Sequence, residues 1–209
     1  MNLQIENVKE KFSTLNIQFT IFNLMRAVTS MKNIKVVVPL LFAFVLAGCS
    51  SPSPYVVKKD SDGTEIITGE FPESLLESEQ TFPWFVSGYR GYQPDSSVID
   101  TLRSNAANLH VLIFCGTWCP DTKHELPRFF KVANEAGISD SSITLYGVDR
   151  TKHSADGMTD RFGITNVPTF IFTLHDKEIG RIIERADESI EKDLAAMLAK
   201  ARYLRYAKP

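Results

Sequence analysis

Apolar residues in this chain come in short runs, and the length and spacing of each run predicts its element. Segments 109–115 (LHVLIFC) and 142–149 (SITLYGVD) are nearly continuous apolar runs of strand length, the pattern of strands covered on both faces. Segments 168–174 (PTFIFTL) and 178–185 (EIGRIIER) flank the polar turn His175-Asp176-Lys177 and predict a hairpin, and 64–71 (TEIITGEF) predicts a further short strand. Between these runs the period becomes helical. Val98, Ile99 and Leu102 share one face behind an Asp95 or Ser96 cap. Segment 120–137 (PDTKHELPRFFKVANEAG) opens with proline in its first turn and closes on Gly137, where helices start and stop. Segment 154–164 predicts a short helix, and a last one runs from Asp187 or Ser189 to about Tyr203.

The order is strand, helix, strand, helix, hairpin, helix. It implies a parallel strand pair joined by a crossover helix, with the hairpin adding antiparallel strands to the same sheet. The expected class is therefore α/β, a central mixed sheet flanked by helices, with an N-terminal extension. That extension, 65–108, includes an aromatic stretch from Pro72 to Pro94 without a clear period. Phe82, Trp84, Phe85, Tyr89 and Tyr92 are expected to pack on the core or to line a substrate surface.

The front of the chain follows a different logic. Lys32 and Lys35 precede an apolar run from Val36 to Ala47 that ends in small residues, the build of a secretory signal over 31–48. The run is shorter than the roughly 20 residues that span a bilayer. Its end, Leu46-Ala47-Gly48-Cys49, resembles the lipobox of bacterial lipoproteins, which implies cleavage before Cys49 and acyl lipid on its thiol. Ser50 resembles the outer-membrane sorting choice of Gram-negative bacteria. These features predict a lipid-anchored protein of the bacterial cell envelope, on the outer membrane and facing the periplasm. Residues 1–30 lack this logic and suggest a start at Met31 or Met25, and 49–64, rich in Ser, Pro, Lys and Asp, reads as a flexible tether.

From Cys49 onward there are 18 Lys and Arg against 23 Asp and Glu, a net charge of -5. With no polybasic run, this balance argues against nucleic acid as a partner. If Cys49 carries lipid, Cys115 and Cys119 are the only free thiols in an oxidising compartment, where unpaired reactive cysteines are unusual.

These two cysteines lie in FCGTWCPDTK, 114–123, at Cys-x-x-x-Cys spacing. A cysteine opening a helix faces unpaired N–H groups that favour thiolate, the nucleophilic form. The stretch, together with Pro127 eight residues after Cys119 and the later Val167-Pro168-Thr169-Phe170, resembles the thioredoxin superfamily from about Leu109 to residue 209. The resemblance implies a thioredoxin-like fold over 109–209 and a nucleophile at Cys119. It also implies a cis peptide before Pro168, with a substrate surface of Trp118, Pro120, Val167, Pro168 and Thr169. Gly-Thr-Trp-Cys-x-Asp-Thr also resembles a subgroup of exported bacterial thioredoxin-like proteins.

Two departures matter. Thr122 stands where the family's resolving cysteine would be, and Ile113 where a buried acid would be. Cys115 is the candidate substitute. A disulfide needs Cα atoms within about 7 Å, and Gly116 permits the bend that would bring Cys115 back to Cys119. The leading expectation is a membrane-tethered thiol–disulfide oxidoreductase acting on protein or small-molecule thiols and disulfides, with Cys119 and Cys115 catalytic. No cofactor or metal is expected. Three alternatives stay open: a single-cysteine peroxide or mixed-disulfide enzyme, a Cu(I) carrier using the cysteine pair, and a silent peptide-binding module. None of His110, His124, His153 or His175 is evidently placed as a third copper ligand.

Overall fold

The computed structural model describes residues 53–154 and 156–206. The expectations for the upstream segment, the signal and the lipid site at Cys49 lie outside these residues. Six strands form one sheet: β1 (Tyr55–Lys59), β2 (Glu65–Phe71), β3 (Leu109–Cys115), β4 (Ile143–Gly147), β5 (Thr169–Leu174) and β6 (Lys177–Ile183), in the order β1-β2-β4-β3-β5-β6. β3 and β4 are parallel, Cys115 standing opposite Gly147, and every other neighbouring pair is antiparallel. The helices are α1 (Pro83–Gly91), α2 (Ser96–Arg103), α3 (Pro120–Ala136), α4 (Met158–Phe162) and α5 (Ile190–Tyr206). This is the thioredoxin-like α/β arrangement, a mixed sheet flanked by helices.

Alternation along β3 divides the interior. Leu109, Val111, Ile113 and Cys115 point into the larger core with Phe129 and Phe130 of α3, Phe85 of α1, Leu102 of α2 and Leu194 of α5. Leu112 and Phe114 face a smaller core with Tyr146, Val148, Ile171 and, from α4, Met158 and Phe162. Successive strand side chains point to opposite faces, so a residue's parity in β3 decides which core receives it. The larger core centres on Phe129, whose ring lies 5.3 Å from Phe170, 5.4 Å from Phe130 and 6.3 Å from Phe172.

α3 starts and stops as its sequence dictates. Pro120 occupies the first turn, where a missing N–H costs nothing, and Gly137 takes the left-handed conformation at φ +72° that a Schellman-type end requires. The β5–β6 hairpin turns through two residues, His175 and Asp176, both with positive φ as in a type I′ turn.

The N-terminal part departs from expectation in two places. Tyr55–Lys59 was expected within a flexible tether; here it is an edge strand paired residue for residue with β2. An edge strand needs backbone partners rather than burial, so polar composition does not forbid it: Val56 and Val57 stay about half exposed. The aromatic stretch without a period holds α1, which packs on α3. Phe85 is buried against Phe130 at 5.7 Å, and Gly88 lets the two helices approach so closely that a Cβ there would lie 2.6 Å from Pro127 Cγ. Packing is thus the role of Phe82 and Phe85, whereas Trp84 and Tyr92 stay partly exposed along a cleft described below.

Candidate active site

β3 ends at Cys115, the chain crosses Gly116-Thr117-Trp118, and Cys119 takes the position just before α3. The crossing is a tight turn, with the Cys119 N–H donating to the Gly116 carbonyl at 2.8 Å. Side chains then fasten it from three sides. The Thr122 hydroxyl accepts the Gly116 N–H at 3.3 Å. Thr117, almost fully buried, donates to the Glu65 carbonyl at 2.6 Å and accepts the Ile67 N–H at 3.4 Å, which ties the loop to β2. Trp118 folds back over Gly116, where a Cβ would come within 2.6 Å of its ring nitrogen, and that nitrogen donates to the Val148 carbonyl at 3.0 Å.

Arg150 caps the indole at 5.5 Å from the ring centroid and is held by Asp60 and Asp62 of the β1–β2 turn, with contacts of 2.5 and 2.9 Å. Hydrogen bonding to Arg150 is the main reason the Asp60 carboxyl lies below the usual carboxylate range. Thr117 and Arg150 escaped sequence reasoning. Thr117 stood in the quoted motif without a role and Arg150 outside it, because their hydrogen-bond partners lie 50 or more residues away in the chain.

Cys119 as a residue is 7% exposed, and its thiol donates to the Val167 carbonyl at 3.2 Å. The Val167–Pro168 peptide is cis, as the sequence resemblance implied. Thr169 clamps this loop, its hydroxyl donating to the Asn166 carbonyl at 2.7 Å, and the Pro168 carbonyl accepts the Glu184 N–H at 2.7 Å. The expected surface residues therefore differ in character. Pro120 is exposed and Trp118 half-buried, while the side chains of Val167, Pro168 and Thr169 are buried. What Val167 offers at the site is its backbone carbonyl.

Cys115 does not join this group. It has no exposed surface, and its parity in β3 places it in the larger core, whereas Cys119 packs with the smaller one. Burial, with the Cys119 charge second, pushes the Cys115 thiol up to about 12, so it stays protonated at neutral pH. Both cysteines are free thiols. Thr122, at the family's second-cysteine place, is fully buried and spends its hydroxyl on the Gly116 N–H.

Around the first turn of α3, Asp121 pairs with Arg185 at 2.6 Å, and His124 Nδ1 lies 2.7 Å from the buried Glu125 carboxylate. Among the described residues no three His, Cys, Asp or Glu side chains are grouped as metal ligands would be. His110, His153 and His175 are exposed and apart from the cysteines in the sheet and its turns. The arrangement can perform nucleophilic thiol chemistry at one sulfur, with a backbone carbonyl beside it.

Residues 96–198 match the family model described as Thioredoxin. No curated protein matches the chain. Three solved structures are similar. An HIV epitope-scaffold has 15% identity and a TM-score of 0.46, covering 60% of this chain and 87% of its own. A Pseudomonas aeruginosa protein of unknown function has 18% identity and a TM-score of 0.40, covering 62% and 78%. The germline-specific thioredoxin Deadhead of Drosophila melanogaster has 22% identity and a TM-score of 0.32, covering 48% and 88%. The mixed sheet and the helix opened at Cys119 form a thioredoxin-like fold, and the stretch 96–198 within it is similar to the Thioredoxin family model.

Proposed function

We propose that this protein is a thiol–disulfide exchange enzyme that works through one nucleophile, Cys119. The observation carrying the reading is the contrast between the two thiols. Cys119 keeps an exposed edge at a helix start beside the Val167 carbonyl, and Cys115 has none. Cys119 attacks a substrate disulfide, forms a mixed disulfide and expels a thiolate. An external thiol then clears the adduct.

The test is an adduct mass. Incubating the reduced protein with excess 2-hydroxyethyl disulfide is expected to leave one stable adduct, mapped to Cys119. Conversion of that adduct to an internal Cys115–Cys119 disulfide, two mass units below the reduced protein, would instead make Cys115 the resolving thiol.

The reading includes an anchor. The order of basic start, apolar run and Leu-Ala-Gly-Cys supports lipid on Cys49 and a site on the bacterial envelope membrane, outer-membrane sorting being suggested by Ser50. Only five residues lie between Cys49 and Tyr55, a reach of at most about 22 Å. A lipidated chain would hold β1 close to its membrane. Cys49→Ala is expected to move the protein from the membrane fraction to the soluble one, and continued membrane association would refute the anchor.

A further inference from the structure

We propose that the cleft between α1 and α3 binds the carboxylates of a small acidic thiol, the co-substrate that clears the mixed disulfide on Cys119. This rests on the single-nucleophile reading. With Cys115 sealed in the core and a threonine at 122, the second electron pair must arrive from outside.

The cleft begins at Lys123, one helical turn past Cys119. It has a volume of about 430 Å³ and is lined by Trp84 and Tyr92 of the extension and by Lys123, His124 and Arg128 of α3. That is within the range of roughly 300–1,000 Å³ typical of small-molecule sites. Lys123 sits one turn below Cys119, its N–H donating to the Cys119 carbonyl at 3.0 Å, so the two residues are about 6 Å apart along the helix.

The charges of the cleft are unspent. Among the described residues Lys123 and Arg128 form no ion pair, whereas Lys131, the next cation along the helix, is paired with Glu135 at 3.2 Å. Arg128 lies 5.1 Å from the centroid of the Tyr92 ring, which fixes the guanidinium while leaving its donor fork for a carboxylate. The nearby acids are engaged elsewhere. Glu191 accepts the Tyr92 hydroxyl at 2.8 Å and the Asp95 N–H at 3.2 Å, and Glu125 is turned to His124. Two cations without counter-charge and walled by aromatic faces, Lys123 one helical turn from Cys119 and Arg128 about two and a half turns from it, suit a thiol carrying carboxylates set apart from its sulfur.

The step balances. The incoming thiol loses its proton to solvent, and its sulfur attacks the substrate-derived sulfur of the Cys119 mixed disulfide. A new disulfide forms between those two sulfurs and the bond to Cys119 breaks. The incoming thiol is oxidised, and Cys119 is reduced, leaving as thiolate and regaining a proton when it returns to the Val167 carbonyl.

The experiment starts from the intact protein carrying 2-mercaptoethanol on Cys119. Its clearance is timed with reduced glutathione and with 2-mercaptoethanol, and the ratio of the two rate constants is compared with the ratio for a free model disulfide. The expected ratio on the protein exceeds the free one by about tenfold, as about 1.4 kcal/mol of attraction would produce. It should shrink with salt. Lys123→Gln with Arg128→Gln is expected to return the ratio to the free value, while Arg128→Lys keeps most of the excess. Because Cys119 is the leaving group for both thiols, any change in its own reactivity cancels in the ratio. A protein ratio equal to the free ratio, or one untouched by the double variant, overturns the inference and leaves Cys119 as nucleophile intact. Failure to form the starting adduct on Cys119 overturns the single-nucleophile reading itself.

Discussion

Cys119→Ser is expected to lower thiol–disulfide exchange to the rate measured without protein, while Cys115→Ala keeps a rate of the same order as the parent. The asymmetry follows from geometry. A serine hydroxyl in the same place, ionising far above neutral pH, supplies no comparable nucleophile and no disulfide chemistry. Cys115 has no exposed surface and a thiol pushed up to about 12, so it contributes packing rather than electrons. Turnover of insulin disulfides with excess dithiothreitol checks both variants in one assay. Equal loss in the two variants would mean that both sulfurs take part and that Cys115 reaches the surface during the cycle. Exchange surviving in Cys119→Ser would remove the nucleophile from the account.

The second large effect is on stability. Phe129→Ala is expected to destabilise the domain by about 3–5 kcal/mol, the range for emptying a buried phenylalanine site. Phe129 has no exposed surface and touches three aromatic rings drawn from its own helix and from β5. The cavity would open between α3 and the sheet, where the aromatic neighbours cannot easily collapse into it. Against a total stability of about 5–15 kcal/mol, such a loss leaves the domain near its threshold. With a urea slope of about 1–3 kcal/mol/M, the unfolding midpoint should fall by at least about 1 M. Val57→Ala, on the half-exposed edge strand, is expected to stay within about 0.5 kcal/mol. A midpoint for Phe129→Ala within error of the parent would show that the aromatic core is not what holds α3 on the sheet.

The active-site tie to β1–β2 adds a constraint that thiol chemistry alone does not require. Thr117 bonds the backbone of β2, and Arg150 links the Trp118 ring to the turn between β1 and β2. The loop carrying Cys119 is thereby referenced to the hairpin nearest Cys49 in the chain. Rotation of the loop relative to the Val167 carbonyl is resisted by residues outside the span matched by the family model as well as within it.

Much of this molecule was legible in its linear order. Pro120 and Gly137 bound α3 because the first-turn proline and the left-handed glycine act through their own backbones. The apolar runs at 109–115 and 169–174 became strands for an equally local reason, as did the hairpin, whose turn closed one residue tighter than expected. The place of Cys119, at a strand-to-helix junction, followed from these boundaries. α1 was not legible, because its apolar residues are divided between Phe85 in the core and Trp84 along the cleft, with Tyr92 on that cleft just past its end, which blurs the helical period. β1 was not legible either, since a strand exposed on both faces leaves no alternation to read.

Local chemistry, carried by each residue and its chain neighbours, was enough to mark 119 as the start of a helix and to bring a valine–proline segment into view as its companion. Which of the two thiols meets solvent was a different matter. It required the pairing of β3 with β4 and β5, because only a completed sheet has two sides, and strand parity then sends Cys115 beneath α3. The clamp on Trp118 and the cationic cleft likewise join segments far apart in the chain, whose proximity is set by sheet order and helix packing rather than by any propensity of their own.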